Sequence, residues 1–297
     1  MLDIDLFQAK LVRKLHGWME PMLASRDLAA LKTLNSTATG KLLADGGPVV
    51  SLTTHGMRLD SVYLTIESIG RGRLLPSRLI LWVDDPARFA ALPDSLQRLQ
   101  RRGLEVLLTQ NFGPHTKYYP YVASKKTHDV PLVTADDDII YPPDWLLDLS
   151  RAARQTPEMI CCFRAHRVGI DSAAATATIA PYSQWLPCET RAAEPRNFGT
   201  GVSGVIYPPS FLDFLHQQGT AFLDCCPKAD DIWLHVAALR SGLKVRQIGR
   251  LPKHFPCLPD TQGMGLVHSN SAAGGNDEQI KRSYGASDIA LLAGNIF

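Results

Sequence analysis

Three consecutive aspartates at positions 136–138 interrupt an apolar stretch near the middle of this 297-residue chain. They follow the apolar run 131–135 and precede a second short apolar run, which two prolines at 142–143 end. This pattern predicts a buried strand with acidic residues at its carboxyl end. Ligands of an open α/β sheet bind in the crevice outside the carboxyl ends of the strands, so the aspartates are predicted to lie at a functional site.

The same acidic triplet indicates a cation site. Side chains alternate along a strand, so Asp136 and Asp138 are expected on one side and Asp137 on the other. The run contains no basic residue that would neutralise two carboxylates. Such oxygen ligands suit Mg²⁺ or Mn²⁺, and Mg²⁺ is usually bound by one or two carboxylates together with substrate phosphates. The alternative is a polar turn whose acids cap the next helix, which the intervening prolines disfavour.

Composition and charge exclude several classes of protein. With 45% hydrophobic and 20% charged residues, the chain has the composition of a globular protein, and its net charge of +2 indicates no attraction to nucleic acid. Six cysteines form no CxxC pair, which fits a reduced setting. Asp3 and Asp5 argue against a signal peptide, and no run approaches the roughly 20 apolar residues of a membrane span. A cytoplasmic protein is expected.

The chain is predicted to comprise an N-terminal helical extension, residues 1–47, and an α/β domain, residues 48–297. Apolar residues recur in the extension at helical spacing, so it is expected to pack on the domain, with contact to the inner membrane face or a partner as alternatives. In the domain, strands alternate with helices over 58–69 and 86–101, which implies a mostly parallel sheet covered on both faces. The predicted strands are 49–53, 79–83, 104–108, 131–134, 159–163, 204–207 and 244–248.

A second acidic pair, Asp230 and Asp231, opens an apolar-periodic segment that follows Pro227. The pair is predicted to lie in the first turn of a helix. The two carboxylates either cap that helix or supply a general base to a hydroxyl, which would have to lie within hydrogen-bond reach. The glycines of 199–204 fit a GxGxxG fingerprint, but they lead into an extended segment rather than a helix. They therefore predict a substrate loop or a plain glycine turn.

Taken in order, these segments resemble a bacterial glycosyltransferase of the GT-A fold, family-2-like and containing a DxD motif. The resemblance rests on VSLTT at 50–54, DDDIIYP at 136–142, the loop 199–209 and ADDIW at 229–233. It implies an α/β fold with a mostly parallel central sheet flanked by helices. One half would be Rossmann-like and bind the nucleotide, and the other would bind the acceptor.

The resemblance also implies an activity. The chain would move a sugar, with inversion, from a UDP- or GDP-linked donor to a carbohydrate or glycolipid acceptor in glycan or polysaccharide biosynthesis. Mn²⁺ or Mg²⁺ would be bound by Asp136, Asp138 and a C-terminal histidine, for which His268 and His254 are candidates. Asp231 aligns with the usual base, and Asp230 is the alternative. The implied nucleotide-sugar site consists of Thr53, His55, Arg58, Asp84, Lys117, Asp136, Asp137 and Gly201.

Two other functions stay open at this point. A metal-dependent nucleotidyl- or phosphotransferase on a similar sheet would use the same Asp136 and Asp138, and a non-catalytic carbohydrate-binding protein would retain the fold. The products separate the two enzymes, because a glycosyltransferase releases a nucleoside diphosphate and a nucleotidyltransferase releases pyrophosphate. Specificity is expected to lie in loops such as 164–196 and in the C-terminal segment.

Overall fold

A computed structural model describes residues 27–171, 177–259 and 275–294. The strands are β1 (Val49–Thr54), β2 (Arg78–Val83), β3 (Leu104–Leu108), β4 (Leu132–Thr134), β5 (Met159–Cys162), β6 (Ala165–Arg167), β7 (Ile170–Asp171), β8 (Thr178–Ile179), β9 (Leu186–Pro187), β10 (Asn197–Gly199), β11 (Val205–Tyr207) and β12 (Lys244–Gln247). The helices are α1 (27–37), α2 (Val62–Gly70), α3 (Pro86–Ala90), α4 (Asp94–Arg101), α5 (Tyr119–Ala123), α6 (Trp145–Gln155), α7 (Pro209–Gln218), α8 (Phe222–Cys225), α9 (Asp230–Arg240), α10 (Gly275–Ser283) and α11 (Ala286–Leu292).

Seven strands form the central sheet in the order β12-β5-β11-β4-β1-β2-β3. Strand β11 runs antiparallel to both of its neighbours, and the other pairs are parallel. Two small antiparallel sheets, β10-β6-β9 and β7-β8, lie beside it. The predicted fold class, an α/β protein with a mostly parallel central sheet flanked by helices, is therefore confirmed.

The ends of each predicted strand agree with the structure to within one residue, whereas the helices differ more. The helix predicted over 86–101 is two helices, α3 and α4, and Pro93 stands immediately before the second. Proline has no amide hydrogen to donate and its ring clashes with the preceding turn, so a continuous helix through this position is disfavoured. The helix predicted from residue 58 begins later, after a short 3-10 helix at Gly56–Asp60.

The sheet is buried on both faces, as the sequence pattern predicted. Along β2 the side chains alternate: Ile80 and Trp82 join one apolar cluster, and Leu79, Leu81 and Val83 join the other. The first cluster includes residues of α7 and α9, and the second includes residues of α2, α4 and α6. Helices cover both faces, so the ends of the strands remain the place where a ligand can reach the sheet.

The described part of the N-terminal extension packs on the domain. Leu31 of α1 is fully buried with Leu64 and Ile140. Nearby, the amide of Asn35 donates to the carboxylate of Glu67 at 3.0 Å. The division of the chain at residue 47 stays a prediction, and residues 1–26, on which the membrane alternative depends, lie outside the described ranges. Among the described helices, each is too short or too polar to span a membrane.

A buried ion pair beneath α2 gives the first testable prediction. Arg102 donates to Glu67 at 2.6 Å, and the Glu67 side chain is 0% exposed. Removing one partner of such a pair leaves a buried charge uncompensated, which costs about 3–5 kcal/mol. Arg102→Met should lower the free energy of unfolding by about that amount in urea titrations, while Arg101→Met, at the exposed neighbouring position, should change it by less than about 0.5 kcal/mol. Equal unfolding midpoints for the two variants would contradict this account.

Candidate functional site

A cavity of about 620 Å³ opens where β1, β2 and β4 end. It brings together residues that are distant in the sequence, and their proximity is what the resemblance had implied. The predicted site residues that line it are Thr53, His55, Arg58, Asp84, Lys117, Asp136, Asp137, Asp138, Gly201, Asp230 and Asp231. His268 lies outside the described residues, and His254 is exposed and does not line the cavity. The roles of the individual residues stay predictions.

Lys117 occupies the centre of the site. It ends a short 3-10 helix, and its carbonyl accepts a hydrogen bond from the Ser51 hydroxyl at 2.7 Å, which in turn accepts one from the Trp82 indole at 2.9 Å. The Lys117 Nζ donates to Asp136 Oδ1 at 2.8 Å and lies 3.2 Å from Asp230 Oδ2. One buried ammonium group thus joins the acidic triplet to the second acidic pair.

The electrostatics of this cluster favour a charged lysine and a protonated aspartate. Burial lowers the pKa of Lys117, but Asp136, Asp230 and Asp231 raise it well above its usual value. Burial, and then the charge of Asp230, raise the pKa of Asp231 to about 8, against the opposing effect of Lys117. Burial likewise raises the pKa of Asp230. The acidic pair therefore retains a proton near neutral pH.

The second acidic pair lies in the first turn of α9, as predicted. The residue at the N-cap position is Ala229, which has no capping side chain. Asp230 contacts Lys117, and Asp231 Oδ1 accepts a hydrogen bond from the backbone N–H of Gly201 at 2.9 Å. Both contacts join the start of α9 to other elements that line the cavity, and the choice between a base and a purely structural pair stays a prediction.

The acidic triplet differs from its predicted arrangement. Strand β4 ends at Thr134, and the aspartates at 137–138 lie in a turn, so strand alternation does not apply to them. Asp137 accepts hydrogen bonds from Thr54 at 2.7 Å and from Arg58 at 2.9 Å. Asp138 lies 3.4 Å from the same arginine. The run itself contains no basic residue, but Arg58 and Lys117 approach the triplet from other elements.

The residues fit a cation that is shared with a ligand better than one held by the protein alone. Within the described ranges, no three His, Cys, Asp or Glu side chains are grouped so that they could bind a metal ion. Burial, and then the charges of Asp136 and Asp137, raise the pKa of Asp138 to about 6, so this carboxylate gains from a nearby positive charge. Two carboxylates, Asp136 and Asp138, match the ligand set that Mg²⁺ takes when phosphates complete its coordination.

The glycines of the loop 199–204, which fit a dinucleotide fingerprint, have a packing explanation. The loop leads into β11, as predicted. A Cβ atom on Gly201 would lie 3.2 Å from both Asp231 Oδ1 and Lys117 Nζ, so a larger residue would crowd the ion cluster. Gly204 has a φ of +93°, and a Cβ atom there would lie 2.5 Å from the Trp145 ring. Both glycines are explained by close approach within this protein.

Several cavity residues were not identified from the sequence. Arg164 follows β5 and donates to the Thr200 hydroxyl at 2.9 Å, and Tyr182 lies in a short 3-10 helix. Both belong to the loop 164–196, which the sequence indicated only as a region of specificity. No motif marks them, because their positions depend on how the loop packs. Asn111 and Asn276 also line the cavity.

Comparison with known proteins gives a likeness of fold. No protein-family model matches the sequence, and no curated protein matches it. A solved CMP:2-keto-3-deoxy-manno-octonic acid synthetase complexed with CTP is 12% identical (TM-score 0.44, 76% of this chain and 98% of that chain). A 4-diphosphocytidyl-2C-methyl-D-erythritol synthase from Anaerococcus prevotii is 11% identical (TM-score 0.47, 77% of this chain and 97% of that chain). An inositol-1-phosphate CTP transferase from T. maritima is 12% identical (TM-score 0.40, 81% of this chain and 98% of that chain).

These findings contradict the prediction of a nucleotide-sugar-dependent glycosyltransferase. The three structures named above are a synthetase complexed with CTP, a diphosphocytidyl-methylerythritol synthase and a CTP transferase, and none of them is described as a glycosyltransferase. We therefore withdraw the prediction of a glycosyltransferase, together with the sugar donor and the glycan acceptor that followed from it. The physical reason for the error is that carboxylates suit a divalent cation shared with phosphates, and a nucleotide sugar and a nucleoside triphosphate both carry such phosphates.

The raised pKa of Asp138 generates a prediction about cation affinity. A metal ligand must be deprotonated, so Mn²⁺ affinity should rise with pH through about 6 and level off above it, with roughly a tenfold loss between pH 7 and pH 5. Asp138→Asn should weaken binding and remove most of this pH dependence. Asp129→Asn, at an exposed position outside the cavity, is the matched control. Electron paramagnetic resonance titrations with Mn²⁺ measure both effects, and a wild-type pH profile in Asp138→Asn would refute the assignment.

Proposed function

We propose that this protein is a metal-dependent nucleotidyltransferase, which transfers a nucleoside monophosphate from a nucleoside triphosphate to an acceptor and releases pyrophosphate. The observation on which the proposal rests is the cluster of Lys117 with Asp136 and Asp230, in a cavity at the carboxyl ends of parallel strands. The cavity volume of about 620 Å³ lies in the range of small-molecule sites. Nucleotidyl transfer is also an alternative that the sequence left open.

The charges of the cavity support a cation-assisted reaction on a phosphate ester. Six aspartates line it (84, 136, 137, 138, 230 and 231), against four lysines and arginines (58, 117, 164 and 228). A triphosphate would be repelled by this excess of carboxylates unless a cation accompanied it. In our proposal Asp136 and Asp138 hold Mg²⁺ or Mn²⁺, which when bound neutralises the charge of the departing pyrophosphate.

The proposed roles divide the cavity into two walls. On one wall, Thr53, His55 and Asp84, at the ends of β1 and β2, receive the nucleoside. Arg58, which Asp137 holds in place, and Lys117 approach the phosphates. On the other wall, α9 presents the second acidic pair to the acceptor. In this arrangement Lys117 stands between the triphosphate and the general base.

The reaction follows from these positions. An acceptor oxygen attacks the α-phosphorus and forms a new O–P bond, while the bond to the β-phosphate bridging oxygen breaks and pyrophosphate leaves with the electron pair. Asp231 accepts the proton of the attacking hydroxyl. A general base is most effective when its pKa lies near the working pH, and the pKa of Asp231 is raised to about 8. Turnover is therefore expected to increase with pH up to about 8.

The test of the proposal is product analysis. Purified protein is incubated with Mg²⁺ or Mn²⁺, each of the four common nucleoside triphosphates, and a panel of phosphorylated and unphosphorylated sugars and polyols. Release of pyrophosphate with formation of a nucleotidylated acceptor is expected, and Asp136→Asn should lack it. Formation of a nucleoside diphosphate and a phosphorylated acceptor would replace the proposal with phosphotransfer. No turnover with any triphosphate and either metal would overturn it.

A prediction for Asp231 separates chemistry from stability. Asp231→Asn retains an oxygen that can accept from the Gly201 N–H but cannot accept a proton. Turnover should fall about 10²–10⁴-fold with little change in the KM for the triphosphate. Asp224→Asn, at an exposed position outside the cavity, should retain activity. If Asp231→Asn turns over at the wild-type rate, the base lies elsewhere.

The stability of the Asp231→Asn variant relative to the wild type should increase as the pH rises. Because the pKa of Asp231 is raised from 3.8 to about 8, the folded wild type holds a proton that the unfolded chain has released, and its stability falls as pH rises from about 4 to 8. Asparagine does not titrate, so the excess melting temperature of Asp231→Asn over wild type should be larger at pH 8 than at pH 5. Thermal unfolding at the two pH values measures it, and an excess that does not grow with pH would contradict the raised pKa.

A further inference from the structure

Arg164 is a cavity cation that the acid cluster does not use. Lys117 pairs with Asp136 and Asp230, and Arg58 pairs with the acidic triplet. Arg164 also lines the cavity, but its hydrogen-bond partner is the neutral hydroxyl of Thr200, at 2.9 Å. In the described ranges no carboxylate lies within ion-pairing distance of its guanidinium. Most of the five N–H donors of that group are therefore available to a ligand.

Tyr182 lines the cavity together with Arg164 and the second acidic pair. Burial, and then the charge of Asp231, raise the pKa of Tyr182 to about 12, against the opposing effect of Arg164. Both charges therefore lie close enough to the phenol to act on it. All three side chains line the same cavity, so an arginine, an aromatic ring and the proposed base face one space.

The ring of Tyr182 is held in place from several directions. It stacks on His166 with centroids 6.0 Å apart and planes at 11°, and it contacts Trp185 at 5.0 Å. Its backbone N–H donates to Asp277 of α10 at 2.7 Å. A ring fixed in this way offers a preorganised surface on which a small substrate can pack.

We infer that Arg164 and Tyr182 form the acceptor subsite, and that the acceptor carries an anionic group, a phosphate or a carboxylate, which the Arg164 guanidinium binds. This inference rests on the proposed function, because an acceptor is bound only if the protein transfers a nucleotidyl group. A guanidinium matches the planar geometry of either anion and binds it through two parallel hydrogen bonds. Elsewhere the acid-rich cavity would repel such a group, so Arg164 fixes the orientation of the acceptor. Its reacting hydroxyl then lies beside Asp231.

The test uses binding, independently of turnover. Inorganic phosphate, acetate, D-glucose 1-phosphate and D-glucose are titrated by calorimetry into wild type, Arg164→Gln and Arg164→Lys. Arg151→Gln removes a charge from an exposed position outside the cavity and is the matched control. The affinities for phosphate and acetate show which of the two anions the site prefers. The affinities for glucose 1-phosphate and glucose isolate the contribution of the anionic group. Circular dichroism confirms that each variant is folded.

The expected result is that wild type and Arg151→Gln bind at least one anion and bind glucose 1-phosphate more tightly than glucose. Arg164→Gln should weaken anion binding roughly 10- to 100-fold, and Arg164→Lys should fall between the two. Unchanged anion affinity in Arg164→Gln, or no anion binding by wild type, would overturn the inference. If anion binding depends on Arg164 but no triphosphate gives pyrophosphate, the anion subsite is supported and nucleotidyl transfer is rejected.

Discussion

A single buried lysine determines how the two acidic motifs of this protein can coexist. Asp136, Asp230 and Asp231 converge on a small volume, where their mutual repulsion and loss of hydration would oppose folding. Lys117 offsets both effects, because its ammonium lies within 3.2 Å of two of these carboxylates. Its own burial is unfavourable without them. The lysine and the acids therefore depend on each other, and the candidate site is built around their pairing.

The sheet topology explains why distant segments meet at this point. Strand β11 inserts antiparallel between β4 and β5, and Val205 at its start pairs with Thr134 at the end of β4. The loop that precedes β11 therefore lies beside the acidic triplet, which follows β4. Gly201 in this loop has no side chain, so Asp231 and Lys117 can approach its backbone closely. An antiparallel strand in a parallel sheet thus places the glycine loop and the start of α9 opposite the carboxyl ends of β1 and β2.

The sequence predicted this framework because buried strands leave continuous apolar runs, and the acids that end such a run stand out. It could not predict how charges are paired, since Arg58 and Lys117 reach the triplet from segments that follow other strands. Strand alternation failed for Asp137 because β4 ends three residues earlier. Arg164 and Tyr182 had no sequence signal, because their positions in the cavity depend on loop packing. The error about glycosyl transfer has a chemical origin, as the acids that suit a nucleotide sugar also suit a nucleoside triphosphate.

The central claim is that the Lys117-centred cavity binds a triphosphate together with a divalent cation. A crystal grown with Mn²⁺ and the nucleoside triphosphate that binds most tightly, measured at a wavelength where Mn²⁺ scatters anomalously, tests it most directly. The account predicts an anomalous peak about 2.1 Å from a carboxylate oxygen of Asp136 or Asp138, with triphosphate density in the same cavity. An Mn²⁺ peak away from these aspartates, or a nucleotide bound outside the cavity, would contradict it.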